Sequence, residues 1–139
     1  MPINEHFESN FNAVLSSAIV FQQPVKVVNL MTDQVLAHPV YCATSFCQRM
    51  QGLLGRSMMT DGEGLYIPKC KSIHTFFMKF SIDIVFIDKK YKVKKVITGL
   101  KPFRFACGSC KTAGTLELAG QTINKRPCRP GDQLAFVKI

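Results

Sequence analysis

Few residues in this chain could do chemistry, and most of them are lodged in apolar surroundings. His74 and Asp83 interrupt the aromatic and β-branched run at residues 72–88, where an ionisable side chain must find a partner, change its pKa or carry a role. Arg49, Arg56 and Glu117 sit in comparably apolar blocks. If these five converge, the planar forks of the arginines can pair with the carboxylates. Such pairing has two readings: an internal ion-pair network pinning a helix to a sheet, or a cleft that binds a small polar or anionic ligand. A third reading makes His74 an acid or base, for which its intrinsic pKa is suited. No motif sets a nucleophile beside it, and a lone histidine in an apolar strand reads more simply as a hydrogen-bonded core residue.

Two further constellations stand out. Cys107-Gly108-Ser109-Cys110 has the spacing of a redox pair or of half a zinc site. A thioredoxin-type thiolate needs a helix N-terminus, and Lys111-Thr112-Ala113-Gly114-Thr115 does not read as a helix. A zinc site needs two more ligands, for example Cys128 with Cys70, and no second C-x-x-C exists. The six cysteines (Cys42, Cys47, Cys70, Cys107, Cys110 and Cys128) are expected to be mostly reduced, as buried small hydrophobes or loop thiols. Neither a metal nor another cofactor is expected. The run Lys89-Lys90-Tyr91-Lys92-Val93-Lys94-Lys95 joins lysines to an aromatic ring, a combination that can serve a phosphate backbone and a stacked base. Lysines on an edge strand also block edge-to-edge aggregation. The glycines form neither a P-loop nor a G-x-G-x-x-G pattern.

The elements that must position these residues follow from composition and periodicity. A chain of 139 residues, 47% hydrophobic and 19% charged, has the make-up of one soluble globular domain. No stretch reaches the roughly 20 apolar residues that span a bilayer. Residues 11–21 come nearest to a signal core, but Glu5 and Glu8 precede them and no Lys or Arg occurs before Lys26. A cytoplasmic, monomeric protein is expected. The net charge of +9 favours encounter with polyanions such as nucleic acid or lipid headgroups.

Residues 1–24 read as a peripheral lead-in and residues 25–139 as a single β-rich domain. Strands are expected over 25–30, 40–43, 65–67, 73–78, 82–87, 92–98, 115–119 and 133–139. Alternation fails across Lys94-Lys95, which predicts a bulge or an edge position there. Ser45 and Gln48 have the form of a capping box, and Phe46, Met50, Leu53 and Leu54 recur on one face. With Gly55 as the stop, this predicts one substantial helix over about residues 45–55. Many short strands with no βαβ alternation predict a mainly β fold, a compact β-sandwich or barrel.

Four blocks resemble one family. Arg49-Met50-Gln51-Gly52-Leu53-Leu54-Gly55-Arg56 is similar to the R-x-x-G-L-M-x-R block of domain-of-unknown-function family 192. Residues 75–88 are similar to its F-x-M-x-x-x-x-x-D-x-x-F-x-D signature, Leu116-Glu117-Leu118-Ala119-Gly120 to its L-E-L-x-x-G strand, and Gly131-Asp132 to a turn near its end. The resemblance implies a compact β-sandwich or barrel carrying one helix. It implies no biochemical activity, and Cys107 and Cys110 lie outside its motifs. Many relatives are exported or membrane-anchored, and this chain is expected to depart from them.

The sequence therefore points to a small binding or accessory domain rather than an enzyme, with partners unnamed. Its expected site is the cleft between the Arg49/Arg56 helix and the strands bearing His74 and Asp83. The alternative is weak nucleic-acid binding through Lys89, Lys90, Lys92, Lys94 and Lys95; an enzyme using His74 is the third option. Cys107, Cys110 and Cys128 are the weak metal candidates.

Overall fold

The structure is a computed structural model, and it describes residues 23–43 and 57–139. The β-branched and aromatic runs form strands: β1 (Val25–Asn29), β2 (Gln34–Cys42), β3 (Gly64–Pro68), β4 (Ser72–His74), β5 (Ile82–Ile87), β6 (Val93–Leu100), β7 (Phe105–Cys107), β8 (Gly114–Ala119) and β9 (Leu134–Lys138). Seven of them make one sheet in the order β6-β5-β8-β3-β2-β1-β9, and β4 pairs with β7 as a separate ribbon. The pairs are antiparallel except β2 with β3. The mainly β expectation holds. The helix expected over 45–55, with Arg49 and Arg56, lies outside the described residues, as do Cys47 and residues 1–22. Among the described residues the helical element is the single turn α1 (Thr122–Lys125).

The long sheet curls into a half-barrel whose two edges meet at one end. The Val93 amide donates to the Asp132 carbonyl at 2.8 Å, the Leu134 amide to the Tyr91 carbonyl at 3.0 Å, and Lys92 bridges Gln133. Arg129-Pro130-Gly131-Asp132 aims β9 at this junction. The Asp132 amide donates to the Arg129 carbonyl, and Gly131 has φ of 96°. Proline then glycine at the two central positions is what a type II turn requires.

Both faces of the sheet are covered, so its central strands are buried throughout instead of alternating between core and solvent. All six residues of β5, and all six of β8, are buried. The inner face packs Val85, Ile87, Leu116 and Leu118 around the rings of Tyr66, Tyr91 and Phe136. The outer face packs Ile82, Ile84 and Phe86 beneath Ile73 and Ala106 of the ribbon. Gly108 lies so close to the Phe86 ring that an added Cβ would stand 2.9 Å from it, which seats the ribbon on this second core.

Two expectations need correction, and two short elements are new. The strand expected over 73–78 stops at His74, because Thr75 turns the chain. β2 begins at Gln34 and contains Pro39; the pairing with β1 slips between Val25↔Val40 and Val27↔Ala37, an extra residue that takes the donor-less proline out of the ladder. β7 and α1 were not foreseen, being too short to show a period.

The β5–β6 pairing slips twice, and each slip positions something. Ile87 faces Val93 while Phe86 faces Lys95, so Lys94 is an extra residue, the bulge expected from the broken alternation. Ile82 faces Leu100 while Ile84 faces Ile97, and here Gly99 takes φ of 62°, the left-handed conformation that glycine adopts without penalty. Its amide then donates to Asp83 Oδ1 at 2.9 Å. The other oxygen, Oδ2, accepts from the Ile123 amide at 2.9 Å, one of the orphan donors in the first turn of α1. Asp83 is 0% exposed, so this carboxylate ties β5, β6 and α1 together from inside. Asp83→Ala would leave two buried amides unpaired, at roughly 1–3 kcal/mol each. Urea unfolding should show a loss of about 3 kcal/mol; a loss below about 1 kcal/mol would contradict this structural role.

Candidate functional site

The neighbouring strands β5, β8 and β3 end level with one another: Ile87 faces Gly114, and Gly114 faces Pro68. Gly114 is glycine because the Tyr66 ring lies over it; an added Cβ would meet ring carbons at 2.6–2.7 Å. The segments just past these ends are stitched to one another. The Ala113 amide donates to the Ile87 carbonyl at 2.7 Å and the Lys69 amide to the Ala113 carbonyl at 2.8 Å. Each segment is basic. Lys69 and Lys71 follow β3, Lys89, Lys90 and Lys94 follow β5, and Lys111 precedes β8; together they line an open groove of about 680 Å³.

Among the described residues that line the groove, Asp88 is the one carboxylate, and it shapes the turn. Its Oδ1 accepts from the Lys90 amide at 2.8 Å and the Lys92 amide at 2.9 Å, while Oδ2 lies 3.5 Å from Lys94 Nζ. Partial burial opposes its charge, but those amides and the Lys94 ammonium prevail and hold the carboxyl below its usual range. Five of the six lysines in the groove are left without an ion pair among the described residues.

The lysine run is only partly in the groove. Lys89, Lys90 and Lys94 line it; Lys92 pairs across to Gln133 in the barrel seam, and Lys95 Nζ donates to the Cys107 carbonyl at 2.8 Å. Tyr91 is corrected: with φ of 62° it turns inward, is 4% exposed, and packs on Tyr66 and Phe136, so it offers no stacking surface. Lys69, Lys71 and Lys111 are not apparent from the sequence because they form no dense run: Lys69 and Lys71 flank Cys70, and Lys111 lies 40 residues after Lys71. The available signal was that each lies just outside a strand end.

The other candidates do not assemble as one set among the described residues. Ile84 is the register partner of Glu117 and Leu118 that of Asp83, so strand alternation puts Asp83 and Glu117 on opposite faces of the sheet. Asp83 is occupied by backbone amides. His74 is exposed on the ribbon and stacks on Phe76 with centroids 5.1 Å apart, which corrects its reading as a core residue. Cys107 and Cys110 are exposed thiols, whereas Cys128 is buried in the inner core. Burial and the nearby Asp132 push its thiol up to about 12, which opposes formation of the thiolate that a metal would require. No three His, Cys, Asp or Glu side chains converge among the described residues.

A second surface feature was missed. Beyond the ribbon, buried Thr75 accepts from the Arg104 amide at 2.9 Å through its hydroxyl, which itself donates to the Lys101 carbonyl at 2.6 Å. The Thr75 carbonyl accepts from Phe103 at 2.9 Å and from Met78 at 3.2 Å. This hub holds Phe77 and Phe103 at φ of 65° and 61°, a conformation costing bulky residues roughly 1–2 kcal/mol each. Their rings meet edge to face at 5.7 Å and remain exposed.

Comparison with known proteins agrees with this architecture. The model of the DUF192 family, described as an uncharacterized ACR, matches residues 27–136. A "putative transcription regulator" from Sinorhizobium meliloti 1021 superposes with a TM-score of 0.68 at 21% identity, covering 81% of this chain and 91% of that one. A protein of unknown function from Novosphingobium aromaticivorans DSM 12444 superposes with a TM-score of 0.69 at 20% identity, covering 88% and 95%. These likenesses show the fold. No curated protein matches the chain.

Glu117 yields a pH prediction. It is flanked by Leu65 and Ile84 on the outer face, its Oε2 has no hydrogen-bond partner among the described residues, and burial pushes its carboxyl from 4.5 up to about 7. Between those values the folded state holds a proton that the unfolded chain has released, so stability falls as pH rises through that window and levels off above it. The loss is on the order of 3 kcal/mol. Urea unfolding of Glu117→Gln should lack this component and be the more stable above about pH 8. Equal pH dependence in both proteins would refute it.

Proposed function

The chain belongs to the DUF192 family, and from that premise, which assigns no activity, we propose that it binds nucleic acid through the lysine groove. The observation that carries this reading is the convergence of six lysines, five from three separate loops and Lys94 from the start of β6, on one concavity of about 680 Å³. A phosphate backbone presents closely spaced negative charges, and binding releases its condensed counterions, the largest sequence-independent source of affinity. Lysine suits this task as a flexible point charge that follows a backbone without demanding one geometry. The net charge of +9 adds long-range attraction.

The small-anion cleft receives less support. Asp83 is committed to amides of Gly99 and Ile123, Glu117 faces the other side of the sheet, and Arg49 and Arg56 lie outside the described residues. The acid–base reading of His74 likewise has no carboxylate or nucleophile bonded to its ring among the described residues.

Fluorescence anisotropy with a labelled oligonucleotide tests the groove. Affinity should fall steeply with salt, with a log–log slope near −0.7 to −0.9 for each phosphate neutralised. Charge reversal at Lys89 and Lys111 together should weaken binding and make that slope shallower by about 1–2. No binding at low salt, or an unaltered slope in the doubly reversed protein, would refute the proposal.

A further inference from the structure

Resting on the groove as a phosphate-binding site, we infer that the chain selects single-stranded nucleic acid, whose unpaired bases stack on an aromatic platform at the far end of the β4–β7 ribbon. The ribbon links the two features. At its groove end the Gly108 amide donates to the Lys71 carbonyl at 2.8 Å, and the register then runs Ser72↔Cys107, Ile73↔Ala106, His74↔Phe105. Ile73 and Ala106 point down into the outer core, so Ser72, Cys107, His74 and Phe105 form one exposed face. That face leads from Lys71 to the aromatic cluster across about four residues of strand, on the order of 13 Å.

The cluster has the properties of a stacking surface rather than of leftover apolar exposure. Phe105 is 62% exposed and Phe77 75% exposed, so broad ring area stands in water. The rings are nonetheless held: His74 lies nearly parallel to Phe76 at 25°, and Phe77 abuts Phe103. Two of them sit in left-handed backbone that the buried Thr75 hub enforces, and strain maintained in this way gathers at functional positions. Lys79, Lys101 and Arg104 are exposed in the same loops, supplying cations around the rings. A lysine track continued by aromatic faces is the combination that binds single strands, because every base has a π-face while a duplex keeps its bases stacked inside. The occupant is therefore a polyanion carrying free flat rings.

The test compares a short oligothymidine with a duplex of equal length by anisotropy, alongside sedimentation with phosphatidylserine vesicles. The wild type should prefer oligothymidine. Phe105→Ala, and separately Phe77→Asn, whose side chain tolerates the left-handed backbone, should each reduce the ratio of the two affinities about tenfold. If both variants keep the wild-type ratio while charge reversal at Lys89 and Lys111 still weakens binding, the platform is refuted and the groove stands. If the variants lose vesicle binding and leave oligothymidine unaffected, the rings serve a membrane surface and the inference is overturned. If the wild type binds neither oligonucleotide at low salt, groove and platform fall together.

Discussion

The fold depends on one buried carboxylate. Asp83 sits among apolar side chains with no solvent, a position that is costly for a charge unless its lone pairs are met. They are met by two backbone amides, from Gly99 and Ile123. To deliver the first, β6 must bulge at a left-handed glycine; to deliver the second, α1 must begin directly after β8. The carboxylate thus fixes one end of the β5–β6 pairing. The Lys94 bulge shapes the other end, beside the turn that carries the groove's lysines.

The groove follows from strand order more than from any local motif. β5, β8 and β3 are neighbours in space although they are far apart in the chain, and their level ends force three basic loops together. Asp88 balances one of the cations and spends its remaining acceptor capacity on the turn. The other lysines gain no ion pair among the described residues, an arrangement that raises the local positive potential without contributing to the core. Tyr91 supports this from beneath, since its inward ring anchors the turn to Tyr66 and Phe136.

How much of this could be read in the chain varied by feature. The run at residues 82–87 was legible as a buried strand because both its faces are covered. The broken alternation at Lys94-Lys95 was legible as a bulge on an edge strand, and the Gly131-Asp132 turn by its glycine. What could not be read was the direction of side chains where the backbone leaves the β region. His74 looked internal because the apolar residues after it, Phe76 and Phe77, looked internal too; the Thr75 turn exposes all three. Tyr91 looked available beside its lysines, but a positive φ reverses it. The partner of Asp83 was sought in an arginine, whereas backbone amides serve a carboxylate equally well and leave no mark in composition. Lys69, Lys71 and Lys111 became a site only through the register of three strands, which single-chain periodicity does not contain.

The most direct test is to map the bound surface residue by residue. In a titration of ¹⁵N-labelled protein with a single-stranded oligonucleotide at low salt, followed by amide chemical shifts, perturbations should concentrate at residues 69–71, 88–94 and 110–113 and continue along the ribbon to residues 74–77 and 103–105. Perturbations confined to the opposite end of the sheet, around Gly99 and Ile123, or no perturbation at all, would contradict the proposed binding surface.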